Sequence, residues 1–220
     1  MNRRRFLASG ASAGAAALIG GSAVPAQVID ARRRASAFKH SVCRWPFRQF
    51  SVEEVARMAR ELGLDSVELL ERDEWPIARS HGLRCAMGYA TVPEPRTRLT
   101  RGFNRIEHHT WLIPAYESAI PLAAAAGIPN LICFSGNRDG LSDDEGLENC
   151  ARGLKTLMPA AERHGVTICM ELLNSKVDHP DYQCDRTAWG VTLAKRLGLK
   201  NRRTVGTLKR TFGPGSKTLT

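Results

Sequence analysis

The chain has 220 residues and a formal net charge of +10, which is enough length for one domain with a sizeable core. Its positive charge is confined to the two ends. Residues 1–34 carry six arginines against one aspartate, residues 195–220 carry eight lysines or arginines and no acid, and the body between them is therefore at about −3. A nucleic-acid-binding function needs a positive surface on the folded body and is disfavoured, and no apolar run is long enough for an internal membrane helix.

Residues 1–26 have the three parts of a secretory signal. Arg3, Arg4 and Arg5 are followed by a small, apolar stretch at 8–24, and small residues precede a plausible cut at Gln27. Twin arginines followed by Phe-Leu are typical of a twin-arginine signal, which exports folded proteins. We therefore expect an exported protein, periplasmic or otherwise extracytoplasmic, with no membrane attachment after signal removal. A basic, disordered start before an Ala-rich helix is the alternative.

From residue 38 onward, strand-like and helix-like segments alternate. The predicted strands are 38–45, 66–70, 83–90, 130–134 and 166–170, and the predicted helices are 51–63, 75–80, 107–126, 142–164 and 187–197. Ser51 and Ser142 each precede a Glu by three residues, which predicts capping boxes. Pro114 and Pro121 predict a kink or break in the third helix.

The predicted strands are apolar without hydrophobic/polar alternation, which favours a parallel sheet covered by helices. A doubly wound open sheet and a (βα)₈ TIM barrel both fit this α/β pattern. No glycine-rich phosphate-binding loop opens a helix, so we expect no nucleotide cofactor.

The βα pattern stops at Leu199, where a sixth strand is expected. Residues 200–220 scatter single apolar residues among cations, glycine and proline, and we predict that they form a basic, disordered tail. About five βα units in residues 38–199 make a partial TIM barrel, because a complete one has eight units and about 250 residues. A truncation or frameshift that replaced the C-terminal part would account for this pattern.

Several polar residues follow the predicted strands, which is the active-site end of a barrel. Glu171 directly follows the strand at 166–170, and a carboxylate there can bind a divalent metal or move a proton. Arg44 is a candidate for binding a carboxylate, although a surface arginine beside a packing aromatic residue fits equally well. The other candidates for substrate binding are Trp45, Asn137, Asn174 and His109.

Four segments carry a resemblance to a known family. They are Ser-Val-Cys-Arg-Trp at 41–45, Glu-Leu-Leu-Asn at 171–174, Asp-His-Pro-Asp-Tyr at 178–182 and Cys-Asp-Arg-Thr-Ala-Trp-Gly at 184–190. Over residues 38–199 the chain resembles the hydroxypyruvate isomerases of the xylose-isomerase-like TIM-barrel family. This family also includes sugar epimerases and a DNA-repair endonuclease.

The resemblance implies an isomerase that interconverts small hydroxy-carbonyl compounds, of the hydroxypyruvate and tartronate semialdehyde type, through an enediol. In the family two glutamates face each other across the substrate, often with a divalent metal such as magnesium or manganese between them. Glu171 matches the first glutamate, as catalytic residue and metal ligand. The second glutamate and the other metal ligands come from strands six to eight, which the predicted fold lacks.

Two alternatives stay open beside the hydroxypyruvate interpretation. One is a metal-dependent sugar epimerase, or a related lyase, of the same family. The other is a truncated remnant without catalytic activity. In the enzyme interpretations the partner is a small-molecule substrate, and a homo-oligomer is compatible with the sequence.

Overall fold

Parallel strands alternate with helices through residues 39–198, which together with a strand at 209–210 are the residues that this computed structural model describes. The strands are β1 Ser41–Cys43, β2 Ser66–Glu68, β3 Arg84–Cys85, β4 Gly88–Tyr89, β5 Asn130–Cys133, β6 Thr167–Leu172 and β7 Lys209–Arg210. The helices are α1 Val52–Glu61, α2 Trp75–Ser80, α3 Ile106–Ala125, α4 Asp143–His164 and α5 Thr187–Arg196. The predicted signal at 1–26 lies outside the described residues.

The strands pair in parallel in the orders β1-β2-β3 and β4-β5-β6-β7. The predicted strand at 83–90 is split in two: β3 pairs with β2, and β4 pairs with β5. A parallel bridge from Leu70 to Gly88 joins the end of β2 to β4. Chain-order parallel pairing with intervening helices confirms the α/β, TIM-barrel-like prediction and is consistent with a partial barrel.

The central strands are buried on both faces, as the apolar sequence pattern predicts. Leu131, Ile132 and Ile168 are at most 1% exposed. These residues lie on β5 and β6, which are covered by α3, α4 and α5. Burial on both faces explains why the strands do not alternate apolar and polar residues.

The helix starts and prolines give a mixed outcome. The capping box at Ser51 is confirmed, with both of its hydrogen bonds present. At Ser142 the structure has one of the two: the serine side chain accepts from the Glu145 backbone N–H at 3.2 Å. Of the kink or break predicted at Pro114 and Pro121, the break does not occur, since α3 is continuous through both prolines; the kink stays a prediction. The helix packs on α4 and β5, and this packing offsets the loss of the backbone hydrogen bonds that the two prolines remove. No helix in the described part of the chain is long and apolar enough to cross a membrane.

The predicted tail at 200–220 contributes one short strand, contrary to the expectation that it holds none. β7 pairs in parallel with the outer edge of β6, with Lys209 opposite Glu171 and Arg210 opposite Leu172. An unpaired strand edge offers backbone N–H and C=O groups to any extended segment, whatever its side chains. The rest of residues 199–220 lies outside the described residues, so the prediction of disorder there stays a prediction.

Candidate active site

A cavity of about 1000 Å³ opens at the carboxyl ends of the parallel strands. Its lining includes Arg44 after β1, Glu71 after β2, Tyr89 in β4, and Glu171 and Asn174 in and after β6. Residues from four strands therefore converge on one space. This is the end at which TIM barrels carry their active sites.

Glu171 lies in β6, which continues through Leu172, and the residue is only 6% exposed. Its backbone position is fixed from the following loop. The Tyr182 hydroxyl donates to the Glu171 carbonyl oxygen at 3.1 Å and accepts from the Ser135 N–H at 3.0 Å. Because Tyr182 itself is buried, one side chain holds together the carboxyl ends of β5 and β6.

The Asp-rich loop at 178–185 is held mainly by structural contacts. Gln183 is fully buried; its Nε2 donates to the Ser142 carbonyl oxygen and to Asp143, and its Oε1 accepts from Asn104. Asp185 pairs with Arg138 at 3.0 Å. These contacts fix the loop after β6 against the loop after β5. The loop after β6 contributes Asp178 and His179 to the lining of the cavity, so the same contacts also fix this part of the cavity wall.

Two of the six predicted site residues are placed differently from the expectation. His109 is 8% exposed, and its Nε2 lies 2.9 Å from the Phe103 carbonyl oxygen in the packing between α3 and α4. Asn137 joins the loops through its backbone, accepting from Asn104 and bridging to Tyr182. Neither residue lines the cavity. Residue spacing alone does not reveal which side of a helix or loop faces the strand ends.

The remaining four predicted residues, Arg44, Trp45, Glu171 and Asn174, all line the cavity. Trp45 is 41% exposed at the rim. Arg44, however, uses both terminal nitrogens locally: Nη1 donates to the Phe47 carbonyl oxygen at 2.8 Å and Nη2 to that of Phe50 at 2.9 Å. Its guanidinium therefore braces the short turn that follows β1.

The structure adds a group of three cavity residues that the sequence analysis missed. The Arg98 guanidinium lies 3.9 Å above the ring of Tyr89 and donates to the Glu71 carboxylate at 2.8 Å. Burial raises the pKa of Glu71 above its ordinary value, although Arg98 opposes the shift. Burial also raises the pKa of Tyr89 to about 12. Its hydroxyl is protonated at neutral pH, as for an ordinary tyrosine, and can donate a hydrogen bond.

One signal for this group was present in the sequence. Glu71 directly follows the second predicted strand, as Glu171 follows the fifth, and this position predicts a place at the same end of the sheet. Arg98 gave no such signal, because it lies in a long loop rich in proline and arginine.

The prediction that Glu171 binds a divalent metal stays a prediction, because the described residues do not supply a full set of ligands beside it. Among them, no three His, Cys, Asp or Glu side chains are gathered so as to hold a metal ion. A divalent cation needs several oxygen or nitrogen ligands around it.

Comparison with known proteins identifies the fold. A sequence model described as "Xylose isomerase-like TIM barrel" matches residues 35–202. No curated protein sequence matches the chain.

Three solved structures illustrate the likeness. An AP endonuclease of family 2 from Brucella melitensis is 22% identical with a TM-score of 0.59, over 76% of this chain and 67% of the other. D-psicose 3-epimerase with D-tagatose from Clostridium cellulolyticum H10 is 12% identical with a TM-score of 0.56, over 73% and 60%. The IOLI protein with a bound zinc atom is 14% identical with a TM-score of 0.60, over 77% and 61%. The chain thus spans about three fifths to two thirds of their lengths, and at these identities the likeness is one of fold.

Proposed function

The chain belongs to the xylose isomerase-like TIM-barrel family, and from that premise we propose that it is an isomerase or epimerase of small hydroxy-carbonyl compounds. One observation carries the proposal. Glu171 is a buried carboxylate that lines the cavity at the carboxyl ends of the strands, where a barrel does its chemistry. The fold shared with D-psicose 3-epimerase supports the same reaction class.

Glu171 acts as the base in this proposal. Its carboxylate removes a proton from the carbon beside the carbonyl group, and the electron pair left behind forms an enediolate, whose oxygen takes a proton from water to give the enediol. Return of the proton from Glu171 to the former carbonyl carbon, with loss of the hydroxyl proton on the original carbon to water, isomerises the compound. Protonation of the original carbon by water from its opposite face epimerises it instead, and Glu171 then releases its proton to solvent. The Tyr182 contact keeps the Glu171 backbone in place while the proton moves.

The finer proposal is a substrate of the hydroxypyruvate and tartronate semialdehyde type. It is supported by the resemblance of residues 171–174, 178–182 and 184–190 to hydroxypyruvate isomerases. Epimerisation of a neutral ketose is the second candidate, favoured by the D-psicose 3-epimerase fold. The two differ in whether the substrate carries a carboxylate.

Exchange of substrate hydrogen with solvent tests the proposal, because both reactions pass through an enediol. The purified 220-residue chain is incubated in D₂O with hydroxypyruvate or D-psicose, with and without added divalent metal, and deuterium at carbon is followed by NMR. We expect incorporation with the wild-type chain and a loss of at least about 100-fold in Glu171→Gln, the usual range for a general base. Asp178→Asn is the matched control, since Asp178 is an exposed carboxylate at the same cavity.

The outcomes separate the alternatives. Exchange with hydroxypyruvate alone supports the isomerase, and exchange with D-psicose alone supports the epimerase. A folded wild-type chain that exchanges neither compound would favour the non-catalytic interpretation. Equal losses in the Glu171 and Asp178 variants would remove Glu171 from its proposed role.

Export is proposed separately, on the twin-arginine pattern of residues 1–26. Fusion of residues 1–40 to a reporter that is active only outside the cytoplasm tests it. Activity should appear with the native segment and disappear when Arg3, Arg4 and Arg5 are replaced by lysine. A reporter that remains cytoplasmic with the native segment would contradict export.

A further inference from the structure

We propose that Arg98 is the residue that recognises a carboxylate on the substrate, and that it selects anionic hydroxy-carbonyl compounds over neutral ones. This inference rests on the proposed function and assigns a specificity residue to the same cavity. It also moves the carboxylate-binding role away from Arg44, the arginine that the sequence analysis offered as a candidate for it.

The setting of Arg98 is that of a fixed donor. Its side chain is 10% exposed. Nε donates to the Pro95 carbonyl oxygen at 3.0 Å and Nη2 to Glu71 at 2.8 Å, while the Tyr89 ring supports the guanidinium plane at 3.9 Å. Three contacts therefore hold the group before any ligand arrives, which lowers the entropic cost of binding.

One end of this guanidinium remains available. Nη1 of Arg98 makes no hydrogen bond to any residue in the described part of the chain, and it is not among the fully buried atoms that lack a partner. Because Arg98 lines the cavity, its spare N–H groups are accessible from that space. Tyr89 lines the same cavity, and we assign its hydroxyl, which is protonated at neutral pH, as a second donor to the ligand.

The other cavity arginines do not combine these properties. Arg44 donates hydrogen bonds from both Nη1 and Nη2 to backbone carbonyl oxygens of its own turn. Arg48 and Arg96 are exposed, so water competes for their charge. Arg98 alone among the four is both desolvated and held in one orientation with a terminal nitrogen to spare. A planar, oriented guanidinium is suited to a carboxylate.

Glu71 sets the strength of this site. The Glu71 carboxylate partly neutralises the charge of Arg98, and a substrate carboxylate must share the guanidinium with it. Removing the Glu71 charge should therefore strengthen anion binding, while removing Arg98 should weaken it. Opposite effects from two neighbouring residues cannot come from a general loss of structure.

Binding of glycerate and glycerol tests the inference without turnover. The two compounds differ by a carboxylate in place of a hydroxymethyl group, and neither has the carbonyl needed to form an enediol. Isothermal titration calorimetry at pH 7 with the full chain is applied to the wild type, Arg98→Met, Glu71→Gln and Arg96→Met. Arg96→Met removes the same charge from an exposed position at the same cavity and is the control.

We expect the wild type to bind glycerate at least about tenfold more tightly than glycerol, in line with a charge-assisted hydrogen bond. Arg98→Met should lose that preference, Glu71→Gln should increase it several-fold, and Arg96→Met should change it less than about twofold. Circular dichroism checks that each variant is folded.

Equal binding of glycerate and glycerol by the wild type, or equal losses in Arg98→Met and Arg96→Met, would overturn the assignment. So would weaker glycerate binding in a folded Glu71→Gln variant. These outcomes are independent of the deuterium exchange, because a chain that catalyses exchange without a carboxylate preference refutes only the role of Arg98. A chain that binds glycerate through Arg98 but does not catalyse exchange refutes only the proposed function.

Discussion

Replacement of Tyr182 by phenylalanine should be costly, although it removes a single oxygen atom. That oxygen accepts from the Ser135 N–H and donates to the Glu171 carbonyl oxygen, and all three residues are buried. Each buried polar group left without its partner costs about 1–3 kcal/mol, so loss of the hydroxyl should lower the free energy of unfolding by about 2–4 kcal/mol.

Urea denaturation measures this effect, and Tyr116→Phe supplies the control. The Tyr116 hydroxyl is also buried but makes one hydrogen bond, to the Ile132 carbonyl oxygen at 2.6 Å. Its loss should cost about half as much, because only one protein group is left unpaired. A Tyr182→Phe variant no less stable than Tyr116→Phe would refute the reasoning that one hydroxyl joins the ends of β5 and β6.

Three further predictions concern side chains that differ in how closely the protein surrounds them. Gly146→Ala should lower the free energy of unfolding by about 1–3 kcal/mol in urea denaturation, because the new Cβ would lie 2.5 Å from the buried Gln183 side chain. In a helix without this contact, alanine in place of glycine is stabilising. A variant more stable than the wild type would show that Gln183 can move aside. Glu71→Gln should become progressively more stable than the wild type as the pH rises from about 4.5. The raised folded pKa favours the protonated form, so the wild type loses stability as Glu71 ionises; a difference that does not change with pH would contradict the effect of the partial burial of Glu71. Under reducing conditions a thiol reagent should modify Cys43 fast and the other five cysteines only after unfolding, because those five are buried; two or more fast thiols would contradict that burial.

The part of the fold that sequence could predict is the part fixed by local patterns. The helix start at Ser51, the apolar strand of Ile168 and the position of Glu171 at the cavity all follow from residues within a few positions of each other. The break offered for α3 does not occur, because tertiary packing keeps the helix continuous through two prolines. It also missed the division of the third strand, which occurs where the backbone at Gly88 passes so close to the Trp75 ring that a Cβ there would lie 3.0 Å from it.

In the candidate site, too, local patterns were predictable from the sequence and long-range contacts were not, and this difference decides which arginine is assigned to the substrate. Arg44 follows its strand directly, so the sequence placed it at the cavity correctly, but the same short tether lets it reach the carbonyl groups of its own turn. Arg98 meets Glu71 across 27 positions of sequence, and only the folded arrangement of β2, β4 and the loop before α3 brings the two together. Because neither the pairing nor the spare nitrogen has a local signature, a search for arginines beside strand ends selects the wrong one. Replacement of Arg98 by methionine should therefore change the substrate preference for anionic compounds while leaving deuterium exchange through Glu171 in place.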